Sequence, residues 1–447
     1  MATITGTKAI ANTTTPLRVL VTGGLGFVGS AIIRAFTEQH PEWDLYILDK
    51  ALRTEPEPDE DDPLDLLGSC KFVYLQADIT DEEQVRRTLE EVQPQVVVHT
   101  AGMIPGLSER YLRRLEGVVR RVNVDGTRHV VDAARNNGCR ALVYTSSCTV
   151  VTDDLDGTFP NIDERWPVSK KSSIYGESKA EAEQIVLSAN TPPTTAQMNQ
   201  YQSVGNHGGL QEHSMSTCVL RPSVIFGEGD NQLIPSIHAC IQKGETRYRI
   251  GDGNNMWDTV YVGNVADAHV LAVENLLLHQ PSSGSEESNH TRRVDNLGSG
   301  GGESGSAAGE TFFIQNNQPI PFRDFSLAIW REFGHIPPGL EIPIPEGLAW
   351  ILGLVAEAFT RVSGQATTLC RGSVRDACAV RYASGDKARK ILGYRPRIGL
   401  EAGLKRSCRV SPLSESYDGD HVPCFYFSVD RCSERVHVTM QGCVSGY

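Results

Sequence analysis

The chain has 447 residues, more than one small domain requires and enough for a large buried core. Its formal net charge of −13 excludes a nucleic-acid-binding surface, because phosphate binding needs clustered Lys and Arg. The eleven cysteines lie without CxxC pairs or His/Cys metal spacing, so no metal site is expected and the thiols read as free, in a reducing compartment.

Residues 1–16 are polar, lack the apolar core of a secretory signal, and read as a flexible tail. RVLVT (18–22) is a short β-branched run, the pattern of a buried parallel strand. Glycines follow at Gly23, Gly26 and Gly29, and an apolar helical pattern then runs through Val28, Ile32, Ile33 and Phe36. Glycines between a strand and a helix allow a tight turn, close approach of a pyrophosphate and close strand–helix packing, with helix N–H groups facing the phosphates. Gly23, Gly26, Phe27, Val28 and Gly29 are therefore candidate cofactor contacts. About twenty residues on, the strand DLYILDK carries Asp49, where a dinucleotide fold places an acid on the adenosine ribose. A carboxylate there repels a 2′-phosphate, so NAD is expected; the adjacent Lys50 softens that preference and keeps NADP open.

The acidic stretch 54–65 reads as a solvated loop. FVYLQADIT gives a third strand, with Asp78 and Ile79 placed to flank the adenine. QVVVHTAG gives a fourth, whose small Ala101 and Gly102 let the strand end lie against the cofactor; His99 reads as a core hydrogen-bonding residue. A helix runs from Asn123 to Gly138, and RALVYTSSCTVV is a fifth strand ending in Ser146 and Ser147. The alternation predicts an α/β chain with a Rossmann-type, doubly wound parallel sheet and ligands at the carboxyl ends of its strands.

In SSIYGESK, Tyr175 and Lys179 stand one helical turn apart on one face. A free phenol, with a pKa of about 10, is a poor base at neutral pH. A cation one turn away and the positive nicotinamide of an oxidised cofactor both favour the phenolate. On this reading Tyr175 takes a proton from a substrate alcohol as hydride leaves, Ser147 holds the same oxygen, and Lys179 also reaches the ribose hydroxyls.

TGGLGFVG, Asp49, ADIT, HTAG, NVDGT, YTSS, YGESK and LRPSVIFGEGD, in that order, resemble the extended short-chain dehydrogenases/reductases, over 17–277 and again over 310–407. GDGNNMWDTVYVGNVADAH and PIPFRDF make the chain most similar to the 3β-hydroxysteroid dehydrogenase branch, and within it to the fungal sterol-4α-carboxylate 3-dehydrogenases (decarboxylating). The resemblance implies catalytic roles for Ser147, Tyr175 and Lys179, support from Asn123, an NAD(P) cofactor and a homodimer paired through helices of the cofactor domain. It also implies a sterol or triterpenoid substrate oxidised at its 3β-hydroxyl, with loss of a 4-carboxyl group. A dehydrogenase/isomerase stays open, as does a nucleotide-sugar epimerase or reductase, for which Arg221, Lys243, Arg247 and Arg249 are available. A cofactor-sensing protein without chemistry need not keep Ser147, Tyr175 and Lys179 together.

The expected organisation is an NAD-binding domain over 17–230 with a surface insertion at 190–215, then a smaller substrate-binding region over 231–409. The latter includes a segment returning to the first domain (249–277) and a Gly/Ser-rich, low-complexity insertion at 280–309. Asp258, Tyr261 and Asn264 in the returning segment read as structural. Residues 344–362 form a helix with Leu348, Ile351, Leu352, Val355, Phe359 and Val362 on one side, too short and interrupted to span a bilayer. It reads as a core helix, as a wall of a sterol pocket, or as an amphipathic patch resting on a membrane. Residues 410–447 depart from the family pattern and read as an altered reading frame or unspliced sequence, expected to be disordered. The expected location is the cytoplasmic side, soluble or peripherally attached to the endoplasmic reticulum, and not secreted.

Overall fold

Short runs dominated by β-branched and aliphatic residues pair into one seven-stranded sheet: β1 (Arg18–Thr22), β2 (Asp44–Asp49), β3 (Val73–Gln76), β4 (Val96–His99), β5 (Ala141–Thr145), β6 (Ser216–Pro222) and β7 (Thr311–Ile314). The computed structural model describes residues 16–51, 67, 70–153, 157–169, 172–191, 214–279, 305–363 and 369–410. The N-terminal tail to residue 15, the acidic stretch 54–65, most of the two insertions and the C-terminal tail from 411 lie outside the described residues. Strand order is β7-β6-β5-β4-β1-β2-β3 and every pairing is parallel. The order reverses at β1, and the crevice beyond the strand ends there is where such sheets bind ligands.

Alternation along the strands feeds two cores. Val19, Val21, Ile47, Val98 and Val143 face α1 (Phe27–Gln39) and a later helix, α5 (Val262–Leu278). Leu20, Leu48, Val97 and Leu142 face α2 (Glu82–Val92), α3 (Gly126–Asn136) and α4 (Ile174–Ser188). The sheet is thus covered on both faces, which parallel pairing requires.

The second half departs from expectation in three places. The returning segment 249–277 supplies α5, but its short strands pair outside the main sheet, Trp257 with Ile320 and Arg381, and Val260–Tyr261 with Ile225–Phe226. The seventh strand comes from 311–314 instead. Residues 305–309 belong to the folded region rather than to the insertion: Ala307 is fully buried and the Gly309 N–H donates to the Thr217 carbonyl at 2.7 Å.

The third departure is α6 (Glu346–Ser363), which is not a core helix. It packs through residues at i, i+4 spacing, the small Ala349 and Gly353 and then Glu357, which pairs with Arg371 at 2.9 Å, against α7 (Arg371–Cys378) and its cap. A Cβ on Gly353 would lie 2.8 Å from the Cys370 carbonyl carbon, so glycine permits the approach. The large apolar residues Leu348, Ile351, Leu352, Leu354, Val355 and Phe359 point outward, each 42–61% exposed. Among the described residues no helix is long and apolar enough to cross a membrane.

Candidate active site

At the switch point the glycines act by close approach. Gly23 has φ +70°, and a Cβ there would sit 2.8 Å from the Ala101 Cα at the end of β4. A Cβ on Gly29 would sit 2.1 Å from the Gly23 carbonyl oxygen. Gly26 caps α1 without a side-chain hydrogen bond, so the first N–H groups of the helix stay available at an open edge. The Asp49 carboxylate accepts the Leu25 N–H and the Ala51 N–H, both at 3.1 Å, which fixes it beside the glycine turn. This cradle fits a dinucleotide: glycine where backbone must approach, a bare helix N-terminus, and an acid fixed at the end of β2. Phe27 and Val28 begin α1 and pack in part against the core. Asp78 accepts the Thr80 N–H at 2.9 Å, whereas the Ile79 side chain is buried against Gly126 and offers no exposed flank.

The second cluster lies at the ends of β5 and α4. Ser173 caps α4, accepting the Gly176 N–H at 3.1 Å, and its hydroxyl donates to the buried Asp153 carboxylate. Tyr175 follows in the first turn, buried. Burial pushes its phenol up to about 12, while the Arg110 guanidinium and a hydrogen bond with Ser147 pull it back. Lys179 is buried too; its Nζ donates to the Thr145 carbonyl at 2.9 Å and stands 4.7 Å from the Tyr144 ring centroid. Burial draws this ammonium down to about 8, and the Glu183 carboxylate opposes the drop. Gly102 lines the same space, since a Cβ there would come within 3.2 Å of the Lys179 Nζ.

Ser147 and Tyr175 are thus brought together, but the cation over the phenol ring is Arg110, its guanidinium carbon 5.6 Å from the ring centroid. Lys179, expected to act on the phenol, donates its ammonium to a backbone carbonyl, and Arg110 adds a second cation at the ring. Arg110 lies in SERYLRR, a basic run without period or motif, so nothing in the sequence marked it. Asp153 was equally silent; it is fully buried, its carboxyl raised by desolvation against the pull of Arg381, whose Nη1 lies 3.7 Å away.

Asn123 holds the frame: its side chain accepts the Met103 N–H at 2.7 Å and donates to the Met103 carbonyl and the Ser178 hydroxyl. His99 lies between the Thr22 and Thr127 hydroxyls, at 2.7 and 3.0 Å. Tyr261 donates to Glu228 and Asn264 bonds to Asn316 and the Ile398 carbonyl. Asp258 is buried, its carboxyl pushed up to about 7 by desolvation. Arg221 is not available for a substrate phosphate: buried, it makes a two-pronged pair with Glu183 at 2.9 and 2.6 Å. Arg249 is engaged by Glu341 and the Gly251 carbonyl.

A doubly wound parallel sheet with a glycine turn, an acid at the end of β2, and a Ser–Tyr–Lys set beyond β5 defines the dinucleotide-dependent oxidoreductase class acting on CH–OH groups. Comparison with known proteins narrows it. The chain belongs to the 3-beta hydroxysteroid dehydrogenase/isomerase family, whose model matches residues 20–344. It is 33% identical over 390 residues to the decarboxylating sterol-4-alpha-carboxylate 3-dehydrogenase of Saccharomyces cerevisiae, covering 87% of this chain and 96% of that protein. The protein of the same name from Schizosaccharomyces pombe is 32% identical, over 88% of this chain and 97% of its own length. Among solved structures, UDP-glucose 4-epimerase from Thermotoga maritima superposes with a TM-score of 0.58 at 17% identity, covering 88% of this chain and 98% of that one. A Thermus thermophilus UDP-glucose 4-epimerase complexed with NAD gives 0.54 at 20% identity, over 90% and 100%. These two likenesses show the fold.

Proposed function

We propose that the chain oxidises the 3β-hydroxyl of a 4α-carboxylated sterol or related triterpenoid with NAD⁺, and that the carboxyl group then leaves as carbon dioxide. The observation that carries this reading is Ser147 and Tyr175 brought together at the end of β5, with Lys179 one turn on, beside the glycine cradle. Relatives named for this reaction, similar over nearly their whole length, support the choice of substrate. In this reading residues 17–230 serve the cofactor and 231–409 chiefly the substrate.

Gly23, Gly26 and Gly29 would hold the pyrophosphate and Asp49 the adenosine ribose of NAD, and the bound cofactor supplies the hydride acceptor. Tyr175 takes the hydroxyl proton as the carbon–hydrogen bond at C3 breaks, and Ser147 donates to the same oxygen. Arg110 favours the phenolate this step needs. The product is a β-keto acid. When its bond from C4 to the carboxyl carbon breaks, the electron pair moves into the C3 carbonyl, giving an enolate whose oxygen Ser147 and Tyr175 stabilise. A proton returned to C4 completes the ketone.

The exposed apolar face of α6 supports a peripheral seat on a membrane, where a sterol is dissolved. The deciding assay incubates the protein with NAD⁺ and a 3β-hydroxysterol with or without a 4α-carboxyl group, following NADH and trapped carbon dioxide. NADH and carbon dioxide from the carboxylated sterol alone are expected, and Tyr175→Phe is expected to abolish both by about 10²–10⁴-fold. NADH from the plain sterol without carbon dioxide would move the chain to general 3β-hydroxysteroid oxidation. Inertness toward both would overturn the sterol reading.

A further inference from the structure

A carboxylated substrate brings a negative charge to a buried site, and the one cation of the Ser147–Tyr175–Lys179 set, Lys179, is turned to the Thr145 carbonyl. An unpaired carboxylate in an apolar pocket is strongly disfavoured, so the protein must supply a partner or bind the acid poorly. The partner has to stand beside Tyr175, because the carboxyl group sits on the carbon next to the one carrying the reacting hydroxyl.

Arg110 stands there. It lies on the short helix Leu107–Leu112, with its guanidinium carbon 5.6 Å from the Tyr175 ring centroid. Its Nε is buried without a hydrogen-bond partner. Among the described residues it makes no ion pair, whereas Arg113, Arg114 and Arg120 close by are paired with Glu116, Glu109 and Glu181. The buried Asp153 attracts Arg110 only through space: its close partners are the Ser173 hydroxyl and Arg381, and it makes no ion pair with Arg110. Arg110 is therefore a half-buried cation with an open fork, on an element separate from the catalytic helix. A guanidinium also matches a carboxylate with two parallel N–H···O bonds, which an ammonium does not.

We propose that Arg110 receives the 4-carboxylate of the substrate and is the residue that selects carboxylated over neutral sterols. This rests on the sterol-acid reading above. It also separates two roles within one site: Tyr175 and Ser147 act on the C3 oxygen, and Arg110 fixes the leaving group beside it.

The test compares Arg110→Met and Arg110→Lys with the unaltered enzyme, using the 4α-carboxysterol as substrate and its neutral 4α-carboxamide as a competitive inhibitor. Removing a charge-assisted pair is expected to raise KM for the acid about tenfold or more. The inhibition constant of the carboxamide is expected to move far less, and Arg110→Lys to restore part of the loss. If acid and amide weaken by the same factor in both variants, and the alkaline limb of kcat shifts instead, Arg110 only tunes the phenol and the proposal fails. An unaltered enzyme inert toward the acid overturns the functional reading and this inference together, whereas an active one with the equal loss just described overturns this inference alone. Melting temperature and NAD⁺ binding of each variant show whether a lost KM reflects lost folding, in which case the Lys variant decides.

Discussion

Lys179 carries its charge where the fold penalises it. Burial lowers its pKa from 10.5 to about 8, equivalent to about 3 kcal/mol against the charged form, offset in part by the bond to the Thr145 carbonyl. Below pH 8 both folded and unfolded chains hold the proton and the penalty is present in full. Between about 8 and 10.5 the unfolded chain binds more protons, so stability rises with pH until the penalty is gone. Lys179→Met, close in shape and uncharged, is therefore expected to lose activity yet melt no lower than the parent at pH 7, by calorimetry. That advantage should shrink as pH passes from 8 toward 10.5. A structural lysine would show the reverse, a lower melting temperature at pH 7. The Asp49 carboxylate makes a second residue-scale test. It accepts two backbone N–H groups beside the glycine turn, and with the proposed cofactor bound its charge would repel a 2′-phosphate. Asp49→Ser is expected to lower the kcat/KM preference for NAD⁺ over NADP⁺ by tenfold or more. An unchanged ratio would remove Asp49 from cofactor selection.

At the scale of the element, α6 separates what sequence spells out from what it does not. The apolar stripe of Leu348, Ile351, Leu352, Val355 and Phe359 is visible in the sequence at helical spacing, but spacing does not say what covers it. The answer lay on the opposite face, in the weak signal of Ala349 and Gly353, where a glycine admits the Cys370 backbone. If the outward face rests on lipid, replacing Leu352, Val355 and Phe359 by Ser should reduce binding to phospholipid vesicles without lowering the melting temperature, because those side chains are 45–61% exposed. Loss of stability with unchanged vesicle binding would mean the face packs against protein. Elsewhere, the strands and the glycine turn were legible because buried β-branched runs and glycines leave few conformational choices. Arg110 and Asp153 were not, because a charge meets Tyr175 only after the short helix Leu107–Leu112 and the turn after β5 have been brought together. The seventh strand, too, became assignable only once the pairing of 311–314 with β6 was known.

On the scale of the whole molecule, two histidines tie the layers together in neutral form. His99 links β1, β4 and α3 through Thr22 and Thr127, and His269 links α5 to β5 through Thr145 at 2.7 Å. Burial lowers them to about 3 and about 4 from an unfolded value of 6.5. Between roughly 4 and 6.5 the unfolded chain therefore binds two protons that the folded chain does not. Stability from this source is complete above 6.5 and falls with pH by up to about 3 kcal/mol per unit. Asp258 works in the opposite sense, since its carboxyl, pushed up to about 7, holds a proton in the folded chain that the unfolded chain releases above 3.8. Against Asp258 alone the two histidines prevail; Asp153, Glu164 and Asp230, also raised by desolvation, act with Asp258, and the arginine-paired Glu83 and Glu116, which are lowered, act with the histidines toward acid destabilisation. Denaturant titrations at pH 7, 6, 5 and 4.5 should show falling unfolding free energy, and the double variant His99→Asn, His269→Asn should be weaker at pH 7 but flatter across the series. A double variant with the parent's slope would mean that carboxylates other than these groups govern the acid limb, and that neither histidine is held neutral by the fold.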